Sequence, residues 1–167
     1  MKKDNIIKKT TFRKKTRELL IRLIFQMTST EDFSNKAKDV FLADRTLYIG
    51  NVSEDTPPGC IFNEEDEEEP DLLYLDWAFL CVRDHLDEID GLIENASEKW
   101  SVERMGTVDL AILRVAVSEL LYMDEIESNV SVNEAVLMAK KYGSEKSAVF
   151  INGILGNIAR SKEESGQ

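Results

Sequence analysis

Between Thr107 and Met123 the chain is apolar almost all the way round a helix. Val108, Ile112, Val115, Ala116, Leu120 and Met123 are interleaved with Ala111, Leu113, Val117 and Leu121. A helix with no polar face must be covered on every side by other elements. The stretch therefore predicts a central buried helix with the rest of a bundle built around it. One cation interrupts it, Arg114. A buried guanidinium needs a carboxylate, and Glu119 and Glu134 are the candidates.

The covering elements are written on both sides. Downstream, Ser131 with Glu134 has the spacing of a capping box, and Val132, Ala135, Val136 and Ala139 then share a helical face. Gly143 supplies a stop and Ser144 can restart a helix. In the second helix Ile151, Ile154, Leu155 and Ile158 form an apolar stripe, while Gly153 lets another backbone approach closely. Together these describe an antiparallel helix pair packed on something else. Upstream, a first helix is expected from about Phe12 to Met27, with Leu19, Leu20, Leu23, Ile24 and Met27 on one broad face. Arg13, Lys14 and Arg17 lie at its edge, and Ile21 and Phe25 fall on that basic side. Either the helix is buried over a wide arc, or Phe25 offers a stacking surface beside the cations. Thr30-Glu31-Asp32 breaks the pattern, and Ser34 caps a second helix to about Leu47. Leu72, Leu75, Phe79 and Val82 mark a third helix, with His85-Leu86-Asp87 as a join. Leu86, Ile89, Ile93 and Ala96 carry a fourth helix towards Trp100, and Ser101 to Arg104 opens a further element.

No segment reads as a β-strand and none repeats. The fold class is all-α, two small helical bundles packed together with about seven helices. Residues 1–11 are a basic flexible tail and 12–49 start the N-terminal bundle. Residues 50–70 are an acidic loop insertion, with three prolines, two glycines, the run Glu64-Glu65-Asp66-Glu67-Glu68-Glu69 and no basic residue. Residues 71–99 complete the N-terminal bundle, 100–160 form the C-terminal bundle and 161–167 are a tail.

The 167 residues suffice for a real core. No apolar run approaches the roughly 20 residues that cross a bilayer, and the basic N-terminus lacks the apolar run of a secretory signal. The cysteines are Cys60 and Cys81, without a CxxC, so a disulfide framework or thiolate zinc site is not expected and a reducing cytoplasm fits. The acidic run has carboxylates for a hard cation but no Asp-x-Asp-x-Asp-Gly loop to fix geometry, so no metal is expected. No phosphate-cradling glycine loop, GxSxG or HExxH is present. His85 stands four residues after Cys81, a spacing that a nucleophile and base on one helix would share; the ordinary reading is incidental neighbours, and neither an enzyme nor a cofactor is expected. The net charge of −11 conceals an asymmetry. Residues 1–22 carry nine basic groups against two acidic ones, a net of +7, leaving −18 for the remainder. Such a chain can meet a polyanion with one end.

Several of these stretches, taken in order, resemble one family. Arg13-Lys14-Lys15-Thr16-Arg17-Glu18, Trp100-Ser101-Val102-Glu103-Arg104, Ala111-Ile112-Leu113-Arg114 with Glu119-Leu120, Ser131-Val132-Asn133-Glu134-Ala135-Val136 and Phe150-Ile151-Asn152-Gly153-Ile154-Leu155 are similar to motifs of the NusB family of bacterial transcription antitermination factors. The resemblance implies a two-subdomain helical fold. It also implies binding of the boxA element of ribosomal RNA leaders together with NusE, a small-subunit ribosomal protein, and through them an indirect link to the RNA polymerase elongation complex. On this resemblance the RNA-facing residues are Arg13, Lys14, Lys15, Arg17 and Phe25 near the N-terminus, and Lys146, Phe150 and Asn152 near the C-terminus. Two positions depart from the family's pattern: Lys146 stands where an acidic residue is frequent, and Val149 where a basic one precedes the aromatic. The alternatives are a NusB-like protein-interaction scaffold with weak or lost RNA binding, and an accessory domain like those preceding the catalytic part of ribosomal RNA cytosine methyltransferases. The absence of a cofactor-binding domain before Gln167 counts against the latter.

Overall fold

The structure, a computed structural model, describes residues 2–44, 70–98 and 100–166, with side chains from Arg13 onward. The described residues form seven α-helices and no strand: α1 (Lys2–Thr30), α2 (Asn35–Ala43), α3 (Leu72–Asp84), α4 (Leu86–Ala96), α5 (Thr107–Tyr122), α6 (Ser128–Tyr142) and α7 (Ser147–Glu164), with a 3-10 turn at Val102–Arg104. The all-α, seven-helix expectation is met. The expected insertion at 50–70 lies, but for Pro70, outside the described residues.

The chain divides into two compact units inside α3, the first ending at Trp77 and the second starting at Ala78. The division falls within residues 71–99, the stretch expected to complete the N-terminal bundle and join it to the next. α4 belongs to the second unit because its polar groups are satisfied there: Asp90 by Arg114, and Glu88 by the Tyr122 hydroxyl at 2.7 Å.

In the first unit α1 begins at Lys2, where a flexible tail over 1–11 was expected. Residues 2–11 hold no glycine or proline to stop a helix, and lysine is a good helix former; they lack only the apolar stripe by which a helix is recognised. The expected buried face is present, with Leu19, Leu20, Leu23, Ile24 and Met27 fully buried. The arc is wider than that, since Ile21 is buried too while Phe25 is 40% exposed. α1 ends where Glu31 takes a positive φ of 55°. The Ser34 hydroxyl accepts from the Ala37 amide at 3.1 Å, the cap foreseen for α2. That helix stops at Ala43, short of the expected Leu47. Lys38 reaches Asp76 at 2.6 Å and ties α2 to α3.

In the second unit α5 is the centre, and every residue from Leu110 to Leu120 is buried. Arg114 is gripped by a carboxylate that was not among the candidates: Nε and Nη2 donate to the two Asp90 oxygens at 2.9 and 2.7 Å. α6 starts one turn before the expected capping box. Glu127 is its N-cap, the Val130 amide donates to the Glu127 carbonyl at 2.9 Å, and Ser131 sits inside the helix, 1% exposed. Ser131 therefore caps nothing; it lines the buried face with Ala135, Met138 and Ala139, flanked by half-buried Val132 and Val136.

Gly143 ends α6 as expected, for a reason of space rather than of φ, which is −89°. A Cβ there would lie 2.6 Å from Ser147 Cβ and 2.7 Å from the Ala139 carbonyl oxygen. Ser147 Oγ accepts from the Ser144 amide at 2.9 Å and donates to Asp109 at 3.0 Å, locking the turn onto α5. Ile151, Ile154, Leu155 and Ile158 form the buried stripe of α7 as expected. Gly153 does not fit its expectation: a Cβ there would meet nothing within 4 Å, so among the described residues no backbone approaches it. α7 runs to Glu164, past the expected end near 160, and Lys162 donates to the Leu120 carbonyl at 2.6 Å, closing the end of α5.

Candidate nucleic-acid interface

The expected contact residues lie in both units, five on α1 and three at the start of α7. On α1 burial separates the cations. Lys14 is exposed, Lys15 and Arg13 are half-buried, and Arg17 is 5% exposed. The difference follows from helical phase: Arg17 lies beside the fully buried Thr16 and the Leu19–Leu20 face. Both arginines turn towards α3. The Arg13 and Arg17 guanidinium carbons lie 5.4 and 5.8 Å from the centre of the Tyr74 ring, within cation–π range.

Asp71 fixes the near end of α3. Its carboxylate accepts from the Tyr74 amide at 3.1 Å, its own amide donates to Thr16 Oγ1 at 3.0 Å, and its other oxygen stands 4.0 Å from Arg13 Nη2. That last distance is the outer limit of an ion pair and no hydrogen bond. Arg13 Nε, shielded from solvent, finds no acceptor among the described residues. Arg13 is thus held by a ring face and left short of acceptors. Tyr74 and Asp71 were not singled out from the sequence. The signal available was an Asp three residues before a Tyr at a helix start, a capping spacing that the surrounding leucines obscured. Phe25 follows Lys14 by eleven residues, about three turns, on the same side of α1 and roughly 16 Å further along.

At the start of α7, Lys146 occupies the N-cap position, exposed, and Phe150 is half-buried one turn on. Val149 between them is 77% exposed. Asn152 and the bare Gly153 continue the exposed side. This second patch presents one cation, a partly open ring, an amide and an apolar side chain.

Other chemistry finds less support. Among the described residues no group of three or more His, Cys, Asp or Glu side chains gathers where a metal could bind. His85 stacks on Tyr122 with ring centres 4.3 Å apart, and its Nδ1 is 3.4 Å from a Glu88 oxygen. Burial, with Asp84 nearby, pushes the Cys81 thiol up to about 11. An activated nucleophile needs the opposite shift. No described helix is long and apolar enough to cross a membrane.

Comparison with known proteins agrees with this architecture. The sequence profile described as "NusB family" matches residues 14–160. The "Transcription antitermination protein NusB" of Clostridium botulinum (strain Loch Maree / Type A3) is 37% identical over 146 residues, covering 87% of this chain and 98% of that protein. The protein of the same name from Agathobacter rectalis is 35% identical over 147 residues, covering 88% and 98%. Among solved structures, T. maritima NusB superposes with a TM-score of 0.67 at 27% identity, covering 93% of this chain and 97% of that one. A structure of antitermination factors NusB and NusE in complex with dsRNA shares the fold, with a TM-score of 0.67 at 21% identity over 90% and 97% of the two chains. Profile, near full-length relatives and shared fold together show that this chain belongs to the NusB family.

Proposed function

We propose that this chain is an RNA-binding transcription antitermination factor that recognises boxA-type RNA of ribosomal RNA operons together with the ribosomal protein NusE. It acts in the cytoplasm as an adaptor, catalyses no reaction, and reaches the RNA polymerase elongation complex through these partners. The observation that carries this is the family match over residues 14–160, which includes Lys14, Lys15, Arg17 and Arg22 of the nine basic residues on α1. Relatives across that span are named antitermination proteins, and one neighbour in fold is a NusB bound to NusE and dsRNA.

Within this function Arg13, Lys14 and Lys15 neutralise phosphates, and Phe25 offers a ring face to an unstacked base. Arg17, being buried, supports the cluster rather than touching RNA. Lys146, Phe150 and Asn152 supply a second contact from α7. One observation favours the scaffold alternative for that second patch: Val149, 77% exposed, suits a protein surface better than a phosphate.

The test is fluorescence anisotropy of a short boxA RNA with the full chain, alone and with NusE, at two salt concentrations. Binding that needs NusE, prefers boxA over a scrambled RNA and weakens with salt is expected. Equal binding of boxA and scrambled RNA with NusE present would sink the sequence-specific function and leave the scaffold.

A further inference from the structure

Tyr74 lies deep in the first unit, 5% exposed, yet the guanidinium groups of both Arg13 and Arg17 lie within cation–π range of its ring. We infer that Tyr74 is a positioning residue for RNA binding, its ring holding the Arg13 guanidinium at the surface so that the remaining donors meet a phosphate; this rests on the RNA-binding function proposed above.

Three observations support the assignment. Tyr74 cannot drift, because Asp71 caps its amide and Thr16 receives the Asp71 amide, pinning the first turn of α3 to α1. Arg17 lies 5.8 Å from the same ring and is itself buried, so it helps to frame the ring rather than competing for ligand. Arg13 is left with unspent hydrogen-bonding capacity at its outer nitrogens, since its nearest described carboxylate stands 4.0 Å from Nη2, beyond hydrogen-bond distance. A planar guanidinium, positioned but short of acceptors, suits an anion with several oxygens at bidentate spacing, such as phosphate. Holding it in advance removes rotamer freedom that binding would otherwise have to freeze.

The test compares Tyr74→Phe, Tyr74→Leu, Arg13→Lys and the double variant Arg13→Lys/Tyr74→Leu in the anisotropy assay with NusE, over a salt series, with melting curves for each. Tyr74→Phe keeps the ring and should bind as the unmodified chain does. Tyr74→Leu should melt as a folded protein, bind boxA RNA on the order of 3- to 10-fold more weakly and show a shallower salt dependence, by about 0.7 for one lost phosphate contact on a single strand. Arg13→Lys keeps the charge but loses the planar fork, so it should show the same loss of affinity, and adding Tyr74→Leu to it should cost nothing more. If Tyr74→Leu fails to fold, Arg13→Lys decides alone, and binding equal to that of the unmodified chain overturns the inference. So does a folded Tyr74→Leu with unchanged affinity, or one whose loss is fully additive with Arg13→Lys. Failure of the unmodified chain to prefer boxA overturns the functional proposal itself, so the two failures are told apart by that control.

Discussion

At the scale of single residues, the most demanding side chain is Arg114. It is 7% exposed within an apolar helix and is answered bidentately by Asp90. Removing Asp90 takes away the bidentate partner of a buried charge. Asp90→Ala should therefore lower the unfolding free energy by about 3–5 kcal/mol in denaturant titration, whereas the paired apolar replacement Asp90→Leu/Arg114→Met should recover most of that loss. The need for a carboxylate was legible from the sequence; its identity was not. Asp90 stands 24 positions earlier on another helix, and only the packing of α4 on α5 brings it near. Cys81 carries the second prediction. With its thiol pushed up to about 11, from an ordinary value of 9.0, the folded state keeps a proton that the unfolded chain releases first. Stability should be insensitive to this group below pH 9 and fall as pH rises from 9 to about 11. Labelling of Cys81 by a thiol reagent should stay slow at neutral pH and accelerate only in that window or on unfolding.

At the scale of elements, the helix pair α6–α7 shows what glycine signals can and cannot convey. Gly143 reads as a helix stop and Gly153 as a place where another backbone comes close, yet the crowding is at Gly143 and the space beside Gly153 is open. Opposite signs follow. Gly143→Ala drives a methyl into Ser147 and the Ala139 carbonyl and should destabilise by about 1–3 kcal/mol, the cost of overpacking. Gly153→Ala places the methyl in open space within a helix and should stabilise by about 0.5–1 kcal/mol. Thermal melting of the two variants measures both; equal effects would mean the hinge is less tightly closed than its distances imply. The helix ends were the other weak point. Ser34 was identified as a cap because a break precedes it and its hydroxyl has no rival, and Ser34→Ala should cost about 1 kcal/mol. Ser131 carried an equally good motif, but Glu127 starts the helix one turn earlier and tertiary packing claims the serine for the buried face. The stripes of α1, α5 and α7 were legible because apolar periodicity is itself the record of burial. The Tyr74 cluster was not, since it joins α1 to a helix more than fifty residues on.

At the scale of the whole molecule, what governs an encounter with RNA is the charge distribution along the chain, +7 over the first 22 residues and −18 over the rest. Six of the acidic groups are consecutive, Glu64 to Glu69, and the run ends two residues before Asp71, which stands 4.0 Å from Arg13. A chain spans at most about 3.5 Å per residue, so, with side-chain lengths and the gap to Asp71 added, all six carboxylates are tethered within roughly 35 Å of that arginine whatever path the chain takes. The screening length is about 30 Å at 0.01 M ionic strength and about 10 Å at 0.1 M. The run therefore acts on the cationic face at low salt and is largely screened near 0.1 M. Replacing the six by glutamine and asparagine removes six negative charges. The association rate with boxA RNA, followed by stopped-flow fluorescence, should rise several-fold at 0.01 M salt and converge on that of the unmodified chain above 0.1 M, because steering depends on unscreened field. A rise that persists at high salt would point to a short-range clash between the run and the RNA. No change at low salt would mean that the local +7 alone controls the approach.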